Sequence, residues 1–94
     1  MPYRLIDPDE TLDFACDWSA FLADSGSPGD DIATSTWSIV PAGPGLANDS
    51  RSGAVTTVFV SAAQMGQVYR LTNRVTTALG RTAERSWILR CENR

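Results

Sequence analysis

Three sets of side chains in this 94-residue chain have types that could do chemistry: the carboxylates of Asp7-Pro8-Asp9-Glu10 and Asp30-Asp31, the thiols Cys16 and Cys91, and the arginines of the second half. Loop carboxylates are the hard oxygen ligands that calcium takes, but their spacing matches no EF-hand loop. They read as solvated acidic loops. A serine or cysteine nucleophile needs a base that titrates near neutral pH, most often histidine, and the sequence has no histidine. No glycine-rich run leads into a lysine, so there is no phosphate-binding P-loop. No cysteine–histidine set could hold zinc. A pair of glycosidase carboxylates would need a sugar cleft, which a domain of this size does not readily build. The expectation is no enzyme, no cofactor and no metal.

The arginines are the more informative set. Every cation is arginine, and lysine is absent. Residues 1–31 hold eight acids against Arg4 alone, whereas residues 51–94 hold seven arginines against Glu84 and Glu92. Arginine is preferred at protein interfaces because its planar fork pairs with carboxylates through two bonds. Biased codon usage would also produce a lysine-free chain. The interface reading makes Asp7, Asp9 and Glu10 the acidic side of a subunit contact, and Arg70, Arg74, Arg81 and Arg85 its basic side. Arg81 and Arg85 could instead pair with Glu84, Asp13 or Asp17 within one subunit. Arg70 and Arg74 share a strand face with Val68 and Thr72, a pattern compatible with nucleic acid. An acidic, lysine-free chain argues against that partner.

The elements that would position these residues are strands. On residues 12–18, Leu12, Phe14, Cys16 and Trp18 share one parity and Asp13, Ala15 and Asp17 the other, which marks a half-buried strand. Ser19 to Leu22 fit one helical turn, and residues 24–31 a loop rich in Gly, Ser, Pro and Asp. Residues 32–40 form a second strand whose parity is ambiguous; the reading adopted here turns Trp37 and Ile39 inward. Residues 41–53 read as a connection with Leu46 tucked in, and 54–61 as a third strand. The final hairpin pairs 68–77 with 82–91 across a turn at Leu79-Gly80-Arg81. Five or six short strands with Gly/Pro turns indicate an all-β fold, an immunoglobulin-like antiparallel β-sandwich with an extended N-terminal arm. The expected division is an arm over 1–11, with a turn at Asp7-Pro8-Asp9, and a sandwich over 12–94.

One domain of this length buries roughly 60–65% of the surface its unfolded chain exposes, so it holds one modest core. Phe14, Trp37, Tyr69 and Trp87 are the expected structural core. Tyr69 opens the penultimate strand three residues after Gly66, where a tyrosine hydroxyl returns to the backbone of the preceding turn. No apolar run approaches the roughly eighteen residues of a membrane helix, and Met1-Pro2-Tyr3-Arg4 lacks the pattern of a secretory signal. Synthesis in the cytoplasm and two reduced, buried thiols are expected. A disulfide would require the two terminal strands to lie side by side.

Three strings together carry a resemblance: residues 12–19 (LDFACDWS), residues 31–37 (DIATSTW), and residues 69–77 (YRLTNRVTT) followed by Gly80-Arg81 and Glu84-Arg85-Ser86. The chain resembles small virion proteins of tailed bacteriophages, encoded with the head–tail morphogenesis genes and described as fibre–tail adaptor or neck proteins. The likeness covers most of residues 10–92, and the Tyr-x-Leu-Thr-Asn-x-Val-Thr-Thr block is its most specific part. It implies an immunoglobulin-like sandwich with no enzyme activity. It also implies a place in the virion, in a ring of identical copies near the portal, neck, tail or fibres. The stretch Ser25-Gly26-Ser27-Pro28-Gly29 is longer than the pattern's usual turn, and Ala62-Ala63 replaces expected glycines. A carbohydrate- or receptor-binding β-module of a phage fibre is the alternative, and would need aromatic side chains exposed on loops.

Overall fold

A computed structural model describes residues 3–23 and 30–92. The chain builds two sheets packed face to face. Strand β1 is Tyr3–Ile6, β2 Leu12–Asp17, β3 Ile32–Val40, β4 Gly45–Ser52, β5 Val55–Ser61, β6 Val68–Thr77 and β7 Thr82–Cys91; a short helix α1, Ser19–Ala23, follows β2. The first sheet has the order β1-β7-β6-β3 and the second β2-β5-β4. All pairings are antiparallel except β1 with β7, which is parallel. Most of the loop expected over 24–31 lies outside the described residues.

Period-two burial drives this arrangement. Along β6, Tyr69, Leu71, Asn73, Val75 and Thr77 turn inward; along β7, Trp87, Leu89 and Cys91 do the same. The second sheet answers with Phe14 and Cys16 from β2 and Thr56, Val58 and Val60 from β5. Leu71 and Leu89 are fully enclosed, and truncating either to alanine would cost about 2–5 kcal/mol.

The parity of β3 resolves through a register shift between Ile32 and Thr34. Such a bulge inserts one residue and flips the alternation. Ile32 is buried on one side of it, while Trp37 and Ile39 pack against the core on the other. Only Ile32, at the start of the strand, uses the first parity; Ser35, Trp37 and Ile39 use the second.

The connection expected over 41–53 is in fact largely strand β4. Its composition is poor for a strand, with Asn48, Asp49 and three Gly or Ser residues. Pairing with β5 overrides that weak preference, and a second register shift between Ala47 and Ser50 absorbs the misfit. Asn48 sits there with φ of 55°, a left-handed conformation that asparagine tolerates better than most residues. Leu46 is the residue of this strand that packs against the core.

Candidate interaction surfaces

The inside of the sandwich is closed by a polar hub. The indole N–H of Trp18 donates to Asn73 Oδ1 at 2.9 Å and to Thr56 Oγ1 at 3.2 Å, and the Thr56 hydroxyl donates to Asn73 Oδ1 at 2.6 Å. The Asn73 amide then donates to Ser35 Oγ at 2.9 Å and to the Thr36 carbonyl at 3.0 Å. Asn73 and Thr56 are fully buried. A hub with every polar atom satisfied ties the two sheets together and offers nothing to a substrate. The Tyr69 hydroxyl accepts a hydrogen bond from Gln64 N–H at 3.1 Å, returning to the turn before its strand.

Cys16 and Cys91 are free and buried in opposite sheets. Burial pushes both thiols above their ordinary range, which leaves them poor nucleophiles. Among the described residues, no cluster of three or more metal-ligating side chains forms. No helix among the described residues is long and apolar enough to cross a membrane. The Asp7-Pro8-Asp9-Glu10 turn binds itself: Asp7 N–H donates to Glu10 Oε1 at 2.7 Å, Asp9 N–H to Asp7 Oδ1 at 2.9 Å, and Glu10 N–H to the Asp7 carbonyl at 3.0 Å.

The arginines divide into two groups. Arg81 is held within the subunit. It donates to Asp30 Oδ2 at 3.2 Å and to the Phe21 carbonyl at 3.0 Å, and lies 4.2 Å from the centre of the Phe21 ring. Burial works against the charge on Asp30. Hydrogen bonds from Leu79 N–H, the Thr77 hydroxyl, Asp31 N–H and Arg81 outweigh it and hold the carboxyl below its ordinary value. Arg85 is also turned inward: it donates to the Asp17 carbonyl at 3.0 Å and lies 4.5 Å from the centre of the Trp18 ring. Asp30 is a partner of Arg81 that local sequence does not reveal, because 51 positions separate them.

Arg70 and Arg74 lie on the outer face of the first sheet, with Arg90 beside them. The register sets Tyr3, Ile88, Arg70 and Val40 in one row across all four strands, and Leu5, Arg90 and Val68 in the next. Tyr3, Leu5, Val40 and Val68 are exposed by 54%, 36%, 65% and 52%. Exposed apolar side chains gathered at one end of a face, interspersed with arginine, have the composition of a protein interface. Arg74 pairs with Glu84 at 3.6 Å, and Arg90 with Glu92 at 2.6 Å. The outer face of the second sheet differs. Its rows run Asp13–Phe59–Ala47, Ala15–Thr57–Ser50 and Asp17–Val55–Ser52. They carry two carboxylates and no cation.

The four expected core aromatics differ in depth. Phe14, Tyr69 and Trp87 are buried; Trp37 is partly exposed and stacks on Trp87 with ring centres 5.7 Å apart. Trp18, held by the hub, is 1% exposed.

An all-β sandwich closed by a polar hub, with two unlike outer faces, is the build of a binding module. Over residues 7–90 the chain matches the family described as podophage GP4 fiber-tail adaptor protein gp77. The chain belongs to this family of phage fibre–tail adaptors, structural components of the virion. No curated protein gives a significant match.

Proposed function

We propose that this chain is a non-catalytic adaptor of the phage neck, where copies of it form a ring that joins the fibres to the tail. The observation that carries the reading is the unlike character of its two outer faces. A closed ring of identical subunits needs a heterologous contact, in which one patch meets a different patch on the next copy. The apolar and arginine-bearing face of the first sheet supplies one patch, through Arg70 and Arg74. The acidic side supplies the other, through Asp7, Asp9 and Glu10 with Asp13 and Asp17 of β2. Apolar contact from Tyr3, Leu5, Val40 and Val68 would provide most of the affinity, and the charges the register and encounter rate. Arg81 and Arg85, grouped with this patch in the sequence, act mainly by holding α1 and β2 in place. Portal, tail and fibre proteins are the further partners; nucleic acid and membrane are not. Synthesis is in the host cytoplasm, with the finished protein in the particle.

The test is a charge exchange. Arg70→Glu with Arg74→Glu is expected to abolish incorporation into particles while leaving the isolated domain folded. Adding Asp13→Arg and Asp17→Arg should restore part of it. Normal incorporation of the first variant would refute the contact. Of the two tryptophans that the carbohydrate-binding alternative would expose, Trp18 is buried, and Trp37 is partly exposed but stacked on Trp87.

A further inference from the structure

Four strands end a sheet, and three of them carry features that discourage pairing with another chain. β1 carries Arg4, and β2 carries Asp13 and Asp17; β4 holds Asp49, Arg51 and the left-handed Asn48 at its register shift. Charge and bulges are common ways for a sheet edge to refuse a further strand. β3 differs. From Ile32 to Val40 it has no charge and no proline, and its one register shift lies at its start, between Ile32 and Thr34.

The direction of its backbone groups follows from the next strands. Thr77 N–H donates to the Arg81 carbonyl, and Cys91 N–H to the Gln67 carbonyl. Odd-numbered residues of β6 therefore face β7, and even-numbered ones face β3. The β3–β6 register joins even to even from Thr34 to Val40. The N–H and C=O groups of Ser35, Trp37 and Ile39 thus point away from the sheet, and no described strand pairs with them. Residues 24–29 join Ala23 to Asp30, so none is more than about 11 Å from one of these ends. Arg81 binds close to both ends, at Phe21 and Asp30, whereas Trp37 and Ile39 lie about 23 and 30 Å along the strand from Asp30. Residues 1–2 and 93–94 adjoin Tyr3 and Glu92, beyond β6; two residues extend about 7 Å, against about 10 Å from β7 to β3. None of these reaches the edge at Trp37 and Ile39.

We infer that this edge pairs with β3 of a second copy, antiparallel about a two-fold axis at Trp37. That register sets Trp37 opposite Trp37 and Ser35 opposite Ile39, so all three outward residues bond to one another. Moving the axis to Thr36 pairs Ile39 with Ala33, inside the irregular start of the strand. Moving it to Ser38 pairs Ser35 with Pro41, which has no N–H. On the outer face Thr36 meets Ser38 and Thr34 meets Val40, so no like charges stand opposite. Arg70 and Arg74 lie on β6, three strand spacings or about 14 Å from their equivalents across the axis, where salt screens them. β3 is nine residues long and the molecule is 20 Å in its thinnest dimension. A side-on contact of that height along about 30 Å of strand covers roughly 600 Å² per copy, and roughly 1,200 Å² in total is enough for a specific interface. The contact is isologous. It is separate from the heterologous face contact of the ring and does not rest on the adaptor reading.

Sedimentation and hydrogen exchange test it on the full chain. As concentration rises the chain should pass from monomer to dimer. The amides of Ser35, Trp37 and Ile39 should then slow by about tenfold or more, while those of Thr36 and Ser38, directed at β6 throughout, change little. A Thr36→Glu, Ser38→Glu variant sets carboxylates opposite one another in the dimer, yet puts one beside Arg74 within the subunit. It should fold and raise the dimer dissociation constant by about tenfold or more. Mixing it with a Thr36→Lys, Ser38→Lys variant should restore dimers. Arg70→Glu with Arg74→Glu should dimerise like wild type, which separates this contact from that of the ring. A wild-type chain that stays monomeric overturns the inference, as does a dimer that the paired glutamates leave intact. Slowing of the three amides in particles alone would assign the edge to another virion protein and also overturn it. Particle incorporation, which tests the adaptor reading, enters none of these outcomes.

Discussion

Trp18 and Asn73 lie 55 positions apart, yet the indole N–H of one meets the carboxamide oxygen of the other at 2.9 Å inside the sandwich. One residue follows the end of β2 and the other is central in β6, so this bond joins the two sheets. Replacing Asn73 by alanine would leave the Trp18 N–H only its longer bond to Thr56 Oγ1 and strand the Thr56 hydroxyl proton in a dry interior. The expected loss is about 2–4 kcal/mol, read as a lower urea midpoint. A Trp18→Phe, Asn73→Ala double variant should lose less than the sum of its singles, because the three groups act as one unit.

Trp37 provides the contrast. Its indole N–H is buried without a partner among the described residues. Trp37→Phe removes an unsatisfied donor along with some packing area. It should cost clearly less than Trp18→Phe, about 1 kcal/mol against about 2–3 kcal/mol. Equal costs in parallel urea melts would contradict the assignment of the hub.

Tyr69→Phe removes the acceptor for Gln64 N–H. The expected loss is about 1 kcal/mol. Amide exchange at Gln64 should rise with it, a local effect that a general loss of core packing would not produce.

The Asp30–Arg81 contact predicts a pH dependence. The folded carboxyl titrates below its ordinary value near 3.8. Its contribution to stability is therefore complete above the unfolded value and lost as pH falls through the folded one. Wild type should lose stability on acidification below about pH 4 more steeply than Asp30→Asn. Denaturant midpoints taken from pH 6 down to pH 2 would measure the difference, and parallel curves would remove Asp30 from the account.

The β6–β7 hairpin and the strand at β2 were legible because strict alternation is a two-residue signal that survives without tertiary context. Tyr69 was legible for a similar reason, since its role depends on a turn five residues away. Strand β4 was not. Its Ser, Asn, Asp and Gly residues favour turns, and only the neighbouring β5 makes a strand of them. Asn73 lies within the Tyr-x-Leu-Thr-Asn-x-Val-Thr-Thr block, but nothing local reveals that a polar residue on an inward parity will meet an indole from the other sheet. For Arg81 the signal was absent, because its partner lies across a connection that sequence spacing cannot fold. The outer faces follow the same rule: each strand hints at its exposed parity, but only the register assembles Tyr3, Val40 and Val68 into one patch.

The two thiols have a practical use that follows from their burial. Cys16 and Cys91 belong to opposite layers and neither touches solvent appreciably. Cys91 is fully enclosed, whereas Cys16 also lines a surface groove, so a thiol reagent reaches Cys91 only when the layers part and can reach Cys16 through a smaller opening. Comparing the labelling rates at the two positions would reveal whether the sandwich opens as a single event or peels from one side first.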